Sequence, residues 1–186
     1  VVGCGLGELS QTEEAHLLHL IRDCGIPAVI DADALNLAAK HGAADLFQAH
    51  HVLTPHPGEF KRLAPELASD SREVAAGKFV SSHPSVLLLK GARTLIAQRD
   101  LPLWINSTGN PGMATGGQGD LLAGVIGALL AGKLPPREAA ALGAWLCGRA
   151  AEIAIHGNQQ SEQSLTPGDV AQHLGRASLD WQRSTR

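Results

Sequence analysis

The segment Asn106-Ser107-Thr108-Gly109-Asn110-Pro111-Gly112-Met113-Ala114-Thr115-Gly116-Gly117-Gln118-Gly119-Asp120 holds five glycines and ends on a carboxylate where an apolar helical pattern begins. Glycine lets backbone N–H groups converge on an anion without a Cβ in the way, and the positive end of a helix dipole reinforces them. A carboxylate at that helix start is badly placed to bind phosphate. It is well placed to take the proton of a hydroxyl that attacks phosphorus. The chemistry implied is phosphoryl transfer to an alcohol, with the glycines as cradle and Asp120 as base. The competing reading is a plain loop in which Asp120 satisfies orphan N–H groups of the helix. Two commoner phosphate loops are excluded by spacing: Gly-x-x-x-x-Gly-Lys-Ser/Thr does not occur, and Gly3-x-Gly5-x-Gly7 lacks the dinucleotide pattern.

Other reactive side chains follow short apolar runs. Asp31 and Asp33 come directly after Pro27–Ile30, where they could hold Mg²⁺, bind a substrate hydroxyl, or cap a helix. Asn36 lies one turn further on. His56 stands between Pro55 and Pro57 after His51–Leu53, so its backbone is stiff and extended and the imidazole is held out to grip a substrate. A surface histidine in a turn is the plainer alternative. Lys90 follows Val86–Leu89 and suits a nucleotide phosphate, or else simply leaves the core for solvent. The other eight histidines, His50 and His51 among them, show no metal-ligand spacing.

Positioning these groups requires strands that end where they begin. Pro27–Ile30, His51–Leu53 and Ser85–Leu89 read as buried strands, and Thr94–Ala97 with Pro102–Ile105 as a hairpin. Between and after them, Thr12–Cys24 is an amphipathic helix with Ser10 or Thr12 as cap, Gln118–Ala131 a buried helix and Pro136–Ile155 a long one. Thr166-Pro167-Gly168-Asp169 opens a last helix, with proline in its first turn. Strands alternating with helices predict an α/β fold with a largely parallel sheet flanked by helices.

At 186 residues and 44% hydrophobic the chain can bury a substantial core as one domain. A net charge of −3 gives no electrostatic reason to expect nucleic acid as a partner. Three cysteines, Cys4, Cys24 and Cys147, at unrelated spacings argue against a disulfide framework or zinc site and for reduced thiols, hence a cytoplasmic protein. The longest apolar run, Leu121–Gly132, contains glycines and is too short to span a bilayer, so no membrane association is expected. The chain opens on Val1 at what reads as a strand end, which leads us to expect an upstream portion beyond this sequence, and an exposed sheet edge without it.

Five segments in order, Val1-Val2-Gly3-Cys4-Gly5-Leu6-Gly7, Asp31-Ala32-Asp33-Ala34-Leu35-Asn36, Thr54-Pro55-His56-Pro57-Gly58-Glu59, Lys90-Gly91-Ala92-Arg93-Thr94 and the glycine segment through Asp120, resemble the carbohydrate-kinase-like domain of the NAD(P)H-hydrate dehydratases, a branch of the ribokinase-like superfamily. The resemblance covers nearly the whole chain. Cys4 departs from it where proline is usual, and Gln118 where threonine is frequent. It implies one ribokinase-like domain over residues 1–186 that lacks its N-terminal portion. It also implies restoration of NADH or NADPH from the (S)-hydrate at the expense of ADP or ATP, with Mg²⁺. Asp120 would be the catalytic base and touch the hydrate together with Gly5, Gly7, Asp33, Asn36 and His56, Glu59 standing by at a helix start. Lys90, Gly91, Ala92, Arg93, Thr94, Asn110, Gly116, Gly117 and Gly119 would hold the adenine nucleotide. No metal ligands are assigned by it. A homo-oligomer and a fused or separate hydrate epimerase are further implications. Two rivals stand beside this reading: a ribokinase-like small-molecule kinase for a sugar, pyridoxal or hydroxyethylthiazole, and a nucleotide-binding fragment without activity.

Overall fold

A computed structural model describes residues 1–158 and 160–184. Its sheet is built from the apolar runs read above. Strands β1 (Ala28–Ile30), β2 (His51–Leu53) and β3 (Val86–Leu89) lie parallel in that order. Strand β4 (Leu95–Ala97) returns antiparallel to β3, and β5 (Trp104–Ile105) pairs antiparallel with β4 at the edge. Outside β1, Val2 makes a single parallel bridge to Ile30.

Successive side chains of a strand point to opposite faces, so each apolar run feeds two cores. Val29, Val52, Val86, Leu88 and Ile96 face one layer; Ile30, Leu53, Leu87, Leu89 and Leu95 face the other. The second of these layers is closed by α1 (Gln11–Asp23), α2 (Ala32–Lys40), α3 (Pro57–Leu63) and α4 (Arg72–Ser82), which contribute Ile21, Leu35, Phe60 and Phe79. Phe79 is 1% exposed, meets Phe60 edge-on at 5.5 Å and stacks on His83 at 4.2 Å. The opposite layer is closed by α5 (Gln118–Ala131) and α6 (Pro136–Asn158), and α7 (Pro167–Ser184) packs on the outside of α6.

Helix ends follow the capping residues. Ser10, not Thr12, caps α1 in a reciprocal box with Glu13, because its extended backbone lets the hydroxyl reach the Glu13 N–H. Thr166 and Asp169 do the same for α7: the Asp169 N–H donates to Thr166 Oγ1 and the Thr166 N–H to Asp169 Oδ2. Helix α5 has the expected limits but is not buried on all sides. It buries the row Gln118, Ala123, Ile126 and Leu130 and leaves Gly124 and Ala128 exposed. Helix α4 was not anticipated, since its contact row of Ala75, Ala76, Phe79 and Val80 is half alanine and gives a weak hydrophobic period. The parallel arrangement carries the C-terminal ends of β1, β2 and β3 to one rim, the place where ligands gather in open α/β sheets. Among the described residues no helix is long and apolar enough to cross a membrane.

Candidate active site

The rim is centred on an ion pair. Lys90, directly after β3, sets its Nζ 2.8 Å from Asp31 Oδ1 and 3.7 Å from Glu59 Oε2. Its backbone N–H donates to Pro55 O at 2.9 Å, which fastens the end of β3 to the end of β2. Asp31 is 1% exposed, and burial pushes its carboxyl upward while Lys90 and the Ala32 N–H hold it down. That N–H, 2.9 Å from Oδ1, makes Asp31 the N-cap of α2, and it belongs to a residue in the left-handed region, Ala32 at φ 47°. A Cβ built on Gly119 would lie 3.3 Å from Lys90 Nζ and 3.8 Å from Asp31 Oδ2, so the first turn of α5 rests on the pair.

His56 differs from its expected pose. It is the N-cap of α3, and Nδ1 accepts the N–H groups of Gly58 at 2.9 Å and Glu59 at 3.4 Å, so the imidazole folds back over the helix start. With Nδ1 accepting, a neutral ring carries its proton on Nε2, which lies 3.4 Å from Glu59 Oε1. Glu59 completes a capping box by accepting the His56 N–H at 2.7 Å. Its carboxylate, 7% exposed, therefore joins the half-exposed His56 to Lys90.

On the other side of β1 lies the loop after Val2. Gly3 is the glycine that space requires: at φ 121° its Cβ would come 1.8 Å from Asp31 O. Gly5 and Gly7 need glycine for conformation alone, at φ 69° and 67°, with nothing within 4 Å of a Cβ. Asp33 neither caps α2 nor stands open: its Oδ2 accepts the N–H groups of Leu6 at 3.0 Å and Gly7 at 3.1 Å and ties the loop down. Asn36 Oδ1 accepts from Arg62 Nε at 2.9 Å, linking α2 to α3. Gly7, Asp33 and Asn36 line a cavity of about 350 Å³ together with Glu8, Glu14 and Lys40. From the same loop the Cys4 thiol stands beside the Asp120 carboxylate, and burial with two nearby carboxylates pushes that thiol up to about 11.

Helix α5 is poised for an anion. Its N-cap is Gly117, at φ 86°, and no side chain caps it, so Asp120 is not spent on orphan N–H groups. Asn110 Nδ2 and both carboxamide atoms of Gln118 are buried without a hydrogen bond, as polar groups awaiting a ligand would be. The segment is anchored from below: Gly109 N–H donates to Glu152 Oε1 at 2.9 Å and Thr108 Oγ1 to Trp145 O at 3.0 Å. The turn Lys90–Thr94 is held by a residue not anticipated. Arg72 donates from Nη1 to Ala92 O at 2.9 Å and from Nη2 to Leu89 O at 3.1 Å and Lys90 O at 3.3 Å. Gly91, at φ 145°, leaves room for that guanidinium, whose Nη2 would stand 3.0 Å from a Cβ. Arg93 is left-handed at φ 56°, and Thr94 Oγ1 donates to Gly91 O at 3.2 Å.

Asp120, Gly119, Lys90 and the Gly3–Gly7 loop thus meet at one rim, with His56 joined through Glu59. Asp31 is central where Asp33 was favoured. A strand-end glycine loop, an uncapped helix N-terminus and a carboxylate in its first turn define an α/β scaffold of the ribokinase-like class. A ribokinase-like superfamily protein from Enterococcus faecalis superposes with a TM-score of 0.75 at 28% identity, over 93% of this chain and 60% of that one. The chain belongs to the NAD(P)H-hydrate dehydratase family, whose carbohydrate-kinase profile matches residues 1–174. It is 38% identical over 182 residues to an ADP-dependent (S)-NAD(P)H-hydrate dehydratase from Neisseria meningitidis, covering 92% of this chain and 60% of that protein. It is 45% identical over 161 residues to a bifunctional NAD(P)H-hydrate repair enzyme from Moorella thermoacetica, covering 80% of this chain and 28% of that protein. The ADP/ATP-dependent NAD(P)H-hydrate dehydratase of Bacillus subtilis, co-crystallised with ATP and Mg²⁺, gives a TM-score of 0.66 at 31% identity, over 84% of this chain and 56% of that one.

Proposed function

We propose that this chain dehydrates the (S)-hydrate of NADH or NADPH, coupled to conversion of ADP to AMP and phosphate; the name of its Neisseria relative carries the (S)-hydrate and the dependence on ADP. The observation that carries the reading is Asp120 in the first turn of an uncapped, glycine-started helix, beside the loop that lines the neighbouring cavity. Asp120 takes the proton of the ring hydroxyl, and that oxygen attacks the terminal phosphorus of ADP while the bond to the AMP oxygen breaks. Phosphate leaves far more readily than water. The ring nitrogen's lone pair expels it, and loss of a proton from the adjacent ring carbon restores the reduced nicotinamide.

Gly5, Gly7, Asn36 and His56 are assigned to the hydrate, with His56 Nε2, now 3.4 Å from Glu59 Oε1, as its donor; Asp33 acts by shaping the loop. Asn110, Gly116, Gly117, Gly119 and the turn Lys90–Thr94 are assigned to the nucleotide, whose phosphates meet the α5 N–H groups and Lys90. Among the described residues no three His, Cys, Asp or Glu side chains converge as a metal site. Mg²⁺ favours phosphate oxygens and water with one or two carboxylates. Glu59 and Asp31, now bridged by Lys90, are the carboxylates it would find here. When bound it would neutralise charge on the transferring group.

The test is recovery of the near-ultraviolet absorbance of reduced nicotinamide from the purified (S)-hydrate, with ADP or ATP in parallel. Asp120→Asn should lose about 10²–10⁴-fold in rate with an unchanged circular dichroism spectrum. Full activity in that variant, or no recovery by folded protein with either nucleotide, refutes the assignment.

A further inference from the structure

The chain has three tryptophans, Trp104, Trp145 and Trp181, and all line one cavity of about 540 Å³. They come from β5, α6 and α7, so the cavity sits at the β5 edge of the sheet. Its lining includes Asn106 and Ser107, the first two residues of the glycine segment, but no residue of the Gly3–Gly7 loop, the Lys90 turn or Gly109–Asp120. A volume of this size lies within the range of small-ligand sites, and aromatic walls with few polar groups are typical of them.

Its chemistry has a direction. Glu138, Ala141, Leu142 and Trp145 fall at i, i+3, i+4 and i+7 and form one stripe of α6 facing the cavity. Glu138 is exposed and is the single ionisable residue of the lining. At the helical rise it stands about 10 Å along the axis from Trp145. At that far end Trp145 and Trp181 meet at 5.1 Å and 62°, two walls of an aromatic corner. One indole of this groove already holds a positive charge: Arg137, buried and outside the lining, lies with its guanidinium 3.5 Å from the centroid of Trp104.

We propose that this groove is a second binding site, which takes an elongated aryl-alkyl ammonium with its ring in the Trp145–Trp181 corner and its ammonium at Glu138. None of the residues assigned to the hydrate or the nucleotide lines it. Because every tryptophan lines it, intrinsic fluorescence reports occupancy directly. Phenylbutylamine, phenylbutanol and phenylbutyrate are titrated as probes that share a ring and differ in end group. Saturable quenching by the amine is expected, with the alcohol at least about fivefold weaker and the carboxylate weaker still. Glu138→Gln, an exposed change compatible with folding, should abolish the preference for amine over alcohol, and saturating ADP should leave the amine affinity unchanged. Equal binding of amine and alcohol, or a preference that survives Glu138→Gln, overturns the proposal. So does the absence of saturable quenching, including its absence because sedimentation shows two copies closing this face on one another.

Discussion

Replacing Lys90 with methionine keeps the length of the side chain and removes the one cation between two buried carboxylates. The Asp31 side chain is 2% exposed and that of Glu59 7%, while the Lys90 side chain is 19% exposed, so water offsets part of the loss. Breaking a buried pair by deleting one partner costs about 3–5 kcal/mol, and the partial exposure of Lys90 places this case near about 3 kcal/mol at pH 7. For a chain of this size that corresponds to a fall in Tm of roughly 6–12 °C. The loss has a predictable pH dependence. Burial already raises the Asp31 carboxyl and Lys90 opposes the rise, so in Lys90→Met the carboxyl moves further up. A carboxyl with a raised folded pKa binds its proton more tightly in the folded state. Stability is then greatest below the unfolded value of about 3.9 and falls as pH climbs from there through the folded value. Urea unfolding at pH 7 and pH 5 should show the variant's deficit shrinking at the lower pH, and Asp31→Asn added to Lys90→Met should recover most of it. A deficit under about 1 kcal/mol at pH 7, or one that grows on acidification, refutes the assignment of Lys90 as the charge that holds the rim together.

Gly3→Ala should cost more than about 4 kcal/mol, because a Cβ lands 1.8 Å from Asp31 O; Gly5→Ala, where nothing lies within 4 Å, should cost only about 1–2 kcal/mol for its left-handed backbone. Chemical denaturation of the two separates close approach from conformation. Gln118→Leu removes a buried carboxamide without partners, so the nucleotide-free protein should gain about 1–2 kcal/mol in thermal unfolding while the stabilisation on adding ADP diminishes. At pH 8 a disulfide exchange reagent should modify Cys24 first: the Cys4 thiol, pushed up to about 11, and the Cys147 thiol, pushed up to about 12, are scarcely ionised there. Cys24→Ser should remove the fast phase.

Strands β1, β3 and β4 were legible because each is a short aliphatic run bounded by turn residues, and β2 adds only His51 to that pattern; β5, with Trp104 and Ile105 both exposed, was legible only as the hairpin partner of β4. The limits of α5 were legible for a similar reason, with Gly117 before it and Gly132 after it. What escaped were contacts made at long range. Whether Asp31 or Asp33 caps α2 is decided by the pairing of Val2 with Ile30, which draws the Asp31 N–H onto Val2 O at 3.0 Å and fixes the register of the turn. Lys90 reads as a strand-end cation seeking phosphate, and its carboxylate partner lies 59 residues away in a different βα unit. Arg72 gave no local sign, since it opens a helix whose contact row is half alanine, and it acts on carbonyls of the next strand's turn. His56 was expected to project, yet the imidazole that follows Pro55 is the nearest acceptor for the first N–H groups of α3, and those orphan donors claim it.

The long-range contacts share one electrostatic logic. The N-terminus of α5 carries partial positive charge, and Lys90 approaches it so closely that only glycine fits at position 119 without displacing the ammonium. Two like charges at that separation would repel in an empty site. Asp31 and Glu59 bracket Lys90 on its other side, and their burial makes the attraction stronger than it would be in water. A phosphate entering over α5 competes with those carboxylates for the same ammonium. It can win because it also gains the uncapped N–H groups, which neither carboxylate reaches. On the proposed reaction, then, the ion pair keeps positive charge assembled until the nucleotide claims it. This is why removing Asp31 alone should weaken the empty protein more than the nucleotide-bound one.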